Sequence, residues 1–189
     1  MNSLKKILAL MMVIMTGFTI NALEIEILPA TLADISAIKD LMALTWRETY
    51  IQFYTSVTVE RVINEYQTID FLKKQFENNH ACFTVAKTTN GQVVGVITTF
   101  LEGEIVHIFR LYVHPAYRSQ KIGENLIKNI LALYPHKNCF RLEVKEKNTR
   151  AIQFYTRMGF ELIQKKEQVF FGETAIDVIL EFNRSGNRI

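Results

Sequence analysis

The chain has 189 residues, 49% of them hydrophobic and 22% charged, which suits one folded domain with a sizeable core and excludes a disordered chain. Its net charge is +3, of which Lys5 and Lys6 supply two, so the body is close to neutral and has no electrostatic footprint for nucleic acid. Cys82 and Cys139 stand far apart at no metal-ligand spacing; they indicate neither a disulfide framework nor a metal site and read as small apolar core residues.

Met1 to Lys6 is short and basic, and the fourteen residues from Ile7 to Ile20 are apolar except for Thr16, Gly17 and Thr19. With Ile20-Asn21-Ala22 as a cleavage tripeptide, residues 1–22 are expected to be a secretory signal peptide and residues 23–189 the mature domain. The run is shorter than the roughly 20 residues that span a membrane, so no stable anchor is expected. A core helix, or a start at Met11, Met12 or Met15, are the competing readings.

Glu24 to Leu28 alternates as a strand. Thr31 or Asp34 then caps a predicted helix through Trp46, with Ile35, Ile38, Leu41, Met42 and Thr45 at helical spacing. A second helical region is predicted from Val59 to Phe76, its inner face Val62, Ile63, Tyr66, Ile69 and Leu72. With the aromatic segment Trp46 to Tyr54 between them, these helices are expected to form a lid-like insertion. Two strands follow, Ala81 to Lys87 and Val93 to Leu101, joined through the turn signal Asn90-Gly91. The next strand, Ile105 to Val113, is a continuous run rather than a strictly alternating one, which predicts a central place in the sheet. A helix from Gly123 to Tyr134, a strand from Phe140 to Val144, a helix from Thr149 to Met158 and strands near Glu161–Phe171 and Ala175–Phe182 complete a mixed α/β domain. At least one crossover is parallel, between the strands ending at Val113 and beginning at Phe140.

Two segments carry chemistry. Arg118-Ser119-Gln120-Lys121-Ile122-Gly123 stands between the central strand and an amphipathic helix. The first turn of such a helix has unpaired N–H groups and the positive end of the dipole, which suit a pyrophosphate. A basic turn before a helix is as often an ordinary solvated surface. In the second segment, Asn148 is placed to cap a short helix at its start, and Gly159-Phe160 to end it. Tyr155 shares a face with Ala151 and Met158; packing alone accounts for a tyrosine there.

Together these segments resemble the GNAT family of N-acetyltransferases, which move an acyl group from acyl-coenzyme A to an amine. Its cofactor loop, Gln/Arg-x-x-Gly-x-Gly/Ala, is matched by Arg118 to Gly123, with Lys121 in place of the first glycine. Its later motif is matched by Asn148, Ala151, Phe154, Tyr155, Gly159 and Phe160. The resemblance runs from about Glu24 to Phe182. It implies a mixed sheet of six or seven strands with a splayed central pair, about four helices, and acetyl-CoA as cofactor. It also implies cofactor contacts from Leu111, Tyr112, Val113, Arg118, Ser119, Gln120, Lys121, Ile122, Gly123, Glu124, Asn148 and Tyr155. A backbone N–H of Leu111 to Val113 aimed at the thioester oxygen contributes on the order of 3 kcal/mol.

Tyr155 becomes the candidate general acid, since an ordinary tyrosine, with a pKa of about 10, lies only slightly above a thiol at about 8.5. His107 is the candidate base by two-residue periodicity with Phe109 and Leu111. A structural histidine fits that position as well, and Glu102, Glu104 and Glu143 are the alternatives. The segments Thr45 to Tyr50, Lys145 to Asn148 and Phe170 to Asp177 resemble the spermidine-acetylating branch, with Glu48, Tyr50, Tyr54 and Glu173 as groups for a polycation. The competing readings are acetylation of protein N-termini or lysines, and a catalytically weak acyl-CoA-binding regulatory module, which Lys121 favours. A leader predicts export to the periplasm or medium, whereas cofactor supply predicts the cytoplasm. The last hairpin's exposed strands predict a homodimer.

Overall fold

The computed structural model describes residues 24–184; the candidate leader, residues 1–22, lies outside them. The elements run β1 (Ile25–Pro29), α1 (Ile35–Thr49), α2 (Ser56–Tyr66), α3 (Ile69–Phe76), β2 (Ala81–Thr88), β3 (Val93–Glu102), β4 (Ile105–Val113), α4 (Ile122–Leu133), β5 (Cys139–Lys145), α5 (Thr149–Arg157), β6 (Glu161–Phe170) and β7 (Glu173–Asn183). One seven-stranded sheet has the order β1-β2-β3-β4-β5-β7-β6. Neighbours are antiparallel except β4 and β5, the pair that needs a crossover helix, here α4. β4 is fourth of seven, the central place its continuous run predicts.

Helices cover both faces. Ile122, Leu126, Ile127 and Ile130 of α4, with Tyr155 of α5, are buried against sheet residues that include Ile97, Val106, Ile108, Phe140 and Leu180. On the other face Ile35, Ile38, Leu41 and Met42 of α1, with Leu72 of α3, pack on Phe83, Val85, Val93 and Val96. Sandwiched between these layers, β3 is buried from Val93 to Thr99 without alternation.

Local chemistry explains the boundaries. The Asp34 carboxylate accepts hydrogen bonds from the Thr31 backbone N–H (2.8 Å) and hydroxyl (3.0 Å) and pairs with Lys87 at 2.7 Å, which ties the start of α1 to β2. α5 begins at Asn148, whose Oδ1 accepts from the Ala151 N–H at 3.2 Å. It ends where Gly159 takes φ +88° and the Gly159 and Phe160 N–H groups reach back to the Thr156 and Tyr155 carbonyls, each at 3.0 Å. That double bond pattern is the glycine stop that Gly159-Phe160 predicts.

Two expectations need correction. The region Val59 to Phe76 is not one helix but α2 and α3, because the Thr68 hydroxyl accepts from the Phe71 N–H (3.1 Å) and starts a new helix there. Nor do α1 and α2 form a lid, since α1 is part of the core against β2 and β3. α2 and Tyr54 join a separate cluster with Ala43, Val59 and Ile63, packed on Phe170 and Ala175.

Candidate active site

β4 and β5 are paired only from Ile105–Cys139 to Ile108–Leu142. Beyond that point β4 pairs with β3 alone and β5 with β7 alone, so the two strands part and a cleft of about 730 Å³ opens between them. The split begins at a bulge. Thr99 pairs with Ile108 and Thr98 with Arg110, leaving Phe109 as an extra residue, and such a residue reverses the alternation beyond it. Leu111 and Val113 therefore pack with the α4 layer, and Tyr112 with the α1 layer.

At the cofactor end, α4 starts without a side-chain cap, which leaves its first N–H groups open towards the cleft. Lys121 stands in the left-handed conformation (φ +59°, ψ +12°) and Ser119 has φ +67°. The lysine thus adopts the bend a glycine would make freely, at a cost of roughly 1 kcal/mol. Gly123 serves close packing: a Cβ there would lie 3.3 Å from the Phe154 ring and 3.8 Å from Val113. Arg118, Lys121, Lys147, Arg150 and Arg157 all line the cleft, a set of cations suited to phosphates.

At the other end stand three tyrosines. Trp46 stacks on Tyr50 (centroids 4.0 Å, 9° between planes) and donates its Nε1–H to the Tyr112 hydroxyl at 2.9 Å. Burial, with Tyr112 beside it, pushes the Tyr155 phenol far above the ordinary tyrosine range. Burial also raises Tyr50, helped by Tyr112 and Tyr155, and raises Tyr112 against the opposing pull of Arg110. All three phenols therefore keep their protons at neutral pH.

Of the expected cofactor residues, Leu111, Tyr112, Val113, Arg118, Ser119, Lys121, Ile122, Gly123, Glu124, Asn148 and Tyr155 line the cleft. Gln120 does not; flanked by two left-handed residues, it is exposed to solvent. His107 is also outside the cleft, with its Nε2 3.2 Å from Glu102. The periodicity that aligned it with Leu111 fails because the Phe109 bulge intervenes. Among the acidic alternatives Glu102 is at that histidine and Glu104 pairs with Lys137 (2.9 Å), whereas Glu143 lines the cleft just past the split, 3.6 Å from Lys166.

The expected polycation groups disperse. Tyr50 lines the cleft, but Glu48, although it lines it too, forms a two-pronged bond to Arg118 at 2.6 and 2.8 Å. Tyr54 is buried beneath Lys145 and beside Phe170, and Glu173 accepts from the Thr55 N–H (3.0 Å) and hydroxyl (2.8 Å) at the start of α2. Sequence reasoning missed Arg110, Lys147 and Arg150. The last two flank Asn148 in the motif itself, which was the available signal; Arg110 is placed by the bulge.

Comparison with known proteins agrees with this geometry. The closely superimposable PaiA N-acetyltransferase from Thermoplasma acidophilum, determined in complex with coenzyme A, has a TM-score of 0.74 at 23% identity, over 85% of this chain and 99% of that one, and shows the fold. A spermidine N(1)-acetyltransferase from Thermoplasma acidophilum is 23% identical over 145 residues, 74% of this chain and 90% of that relative. The peptidyl-lysine N-acetyltransferase YjaB of Salmonella typhimurium is 36% identical over 83 residues, 44% of this chain, so the match spans 52% of that relative's length. Residues 38–160 match the profile described as the acetyltransferase (GNAT) family, and on that match, with the split sheet and the uncapped α4 start, the chain belongs to the acetyltransferase (GNAT) family.

Proposed function

We propose that this protein transfers an acetyl group from acetyl-CoA to a primary amine, and that the split between β4 and β5 is where the transfer occurs. The observation that supports it is one cleft lined both by the uncapped start of α4 and by Tyr155. The residues present fit the cofactor: open backbone donors at Ile122 to Glu124, four cations lining the same cleft besides the Glu48-paired Arg118, and a β4 backbone edge from Leu111 to Val113 that β5 does not pair. Acetyl-CoA supplies an activated acetyl thioester when bound. Lys121 keeps the left-handed bend of the loop, which supports transfer over a weakened binding module.

Within this reading the α4 N–H groups, Lys121 and Arg150 hold phosphate oxygens. The Leu111–Val113 backbone would align the pantetheine and offer N–H groups to the thioester oxygen. Glu143 replaces His107 as the group that takes a proton from the acceptor's ammonium, being the cleft carboxylate with the loosest ion pair. Tyr155 would donate a hydrogen bond at the position of the cofactor's sulfur. Its raised pKa makes full proton transfer further uphill than the roughly 1.5 units separating an ordinary tyrosine from a thiol.

Thiol release by the full chain with acetyl-CoA and a panel of primary amines, spermidine, lysine and a lysyl peptide among them, tests this. Turnover that Tyr155→Phe abolishes supports it, and coenzyme A binding without turnover of any amine sinks it. The proposal extends to a homodimer through β6, an edge strand that exposes Leu162, Ile163 and Val169; a monomeric mass by sedimentation overturns that extension.

A further inference from the structure

We propose that the pocket beside the acceptor end of the cleft is a carboxylate subsite built on Arg110, so that the amine acetylated here itself carries a carboxylate. This rests on the transfer reading and names its acceptor class. The pocket encloses about 190 Å³ and is lined by Gln75, Asn78, Phe83, Thr98, Phe100 and Arg110, among others. Phe109 and Arg110 line both this pocket and the cleft, so a molecule with its carboxylate in the one can extend its amine into the other. With about 30 Å³ as the share of one water, the space accommodates a carboxylate and a short run of carbons.

The bulge at Phe109 puts Arg110 there. In a regular strand Arg110 would point with Val106 and Ile108 into the α4 layer; the extra residue turns it to the α1 face instead. Of the seven other arginines among the described residues, four pair with carboxylates at 2.6 to 2.9 Å, Arg47 with Glu60, Arg61 with Glu65, Arg118 with Glu48 and Arg141 with Glu181; Arg184 donates to the Leu131 and Pro135 carbonyls, and Arg150 and Arg157 are exposed to solvent. Arg110 has no carboxylate within ion-pair distance among the described residues, and its one hydrogen bond goes from Nη1 to the Thr98 hydroxyl at a long 3.3 Å. Arg110 is only partly exposed, and burial lowers its pKa while Tyr112 opposes that. A desolvated guanidinium with most of its five-donor fork unused is costly unless an anion completes it, and a carboxylate matches the fork. In the same pocket the buried Gln75 Oε1 has no hydrogen-bond partner; as an acceptor it suits an α-ammonium beside the carboxylate, not the carboxylate itself. A polycation would meet Arg110 as a like charge.

The test is calorimetric titration of the full chain, with and without saturating coenzyme A. The probes are three carboxylate-bearing amines, lysine, ornithine and 5-aminopentanoate, each against its counterpart without the carboxylate: 1,5-diaminopentane, 1,4-diaminobutane and butylamine. The subsite predicts that each carboxylate-bearing probe with the right reach binds at least about tenfold tighter than its counterpart. Arg110→Gln should bring the members of a pair within about twofold, and Arg110→Lys should leave an intermediate preference. Gln75→Leu should weaken lysine and ornithine, which carry an α-ammonium, by a small factor and leave 5-aminopentanoate unchanged. Equal binding within every pair, tighter binding of the diamines, no binding of any carboxylate-bearing probe, or equal weakening of both members by Arg110→Gln would each overturn the proposal. Thiol release on the same panel separates it from the transfer reading. A binding preference without turnover sinks transfer and leaves the subsite, whereas turnover without a carboxylate preference does the reverse.

Discussion

On the α4 side of the cleft the chain offers backbone: uncapped N–H groups at a helix start and an unpaired strand edge, with Gly123 packed tightly on Phe154. On the α1 side it offers side chains from distant segments, with Trp46 joined to Tyr112 across 66 residues, Glu48 to Arg118 across 70, and Lys145 to Asp177 across the β5–β7 pair. Most charges on that second side neutralise one another, which leaves Arg110 and Glu143 as the groups with most left to offer a ligand. On the proposed reading, main chain, whose geometry survives substitution, and the cleft cations would meet the cofactor, whereas the acceptor would be met by side chains that need the whole fold to assemble.

The largest expected effect separates chemistry from cofactor binding. Tyr155→Phe should lower kcat about 100-fold while the KM for acetyl-CoA changes little; a parallel rise in KM would mean that Tyr155 belongs to the binding half. Next in size is the anchorage of the acceptor half. Although burial alone would raise it, the Asp34 carboxyl is held below its ordinary value by Lys87 and Thr31. A depressed carboxyl stabilises the fold above its unfolded pKa of about 3.9, and that contribution is lost as pH falls through the lower folded value. Asp34→Asn should therefore cost about 2 kcal/mol at pH 7 and flatten the acid limb of a urea-melt series.

Gly123→Val probes the backbone half by forcing Phe154 aside. Coenzyme A affinity should fall about tenfold by calorimetry, with the far-ultraviolet dichroism of the fold retained. The smallest effect is at Lys121. Lys121→Gly relieves the left-handed strain, partly offset by the entropy glycine adds to the unfolded chain, for a net gain of about 0.5 kcal/mol in urea unfolding. A loss of stability instead would show that the lysine side chain, rather than its backbone, holds the loop.

The α4 start, the stop at Gly159 and the central place of β4 were legible because each rests on residues adjacent in sequence: an amphipathic run after a basic turn, a left-handed glycine, and a strand whose apolar residues do not keep strict alternation. The break at Thr68 was missed because apolar spacing continues through Ile69 and Leu72 while the hydroxyl, a local competitor, ends the helix. His107 was misplaced for a different reason. Periodicity of two presumes a regular strand, and whether a strand bulges is decided by its partner, here β3 with one residue fewer between Thr98 and Thr99 than β4 has between Arg110 and Ile108.

The sequence by itself determined the family, the position of the turn from Arg118 to Gly123 and the helix that carries Tyr155, since each is written in a contiguous motif whose hydrogen bonds close within a few residues. Tertiary structure alone decided which carboxylates are already paired, which face Arg110 takes and that Glu143, not His107, lines the cleft. Those outcomes depend on strand register and on contacts between residues far apart in the chain, where a shift of one residue turns a side chain from one face of the sheet to the other.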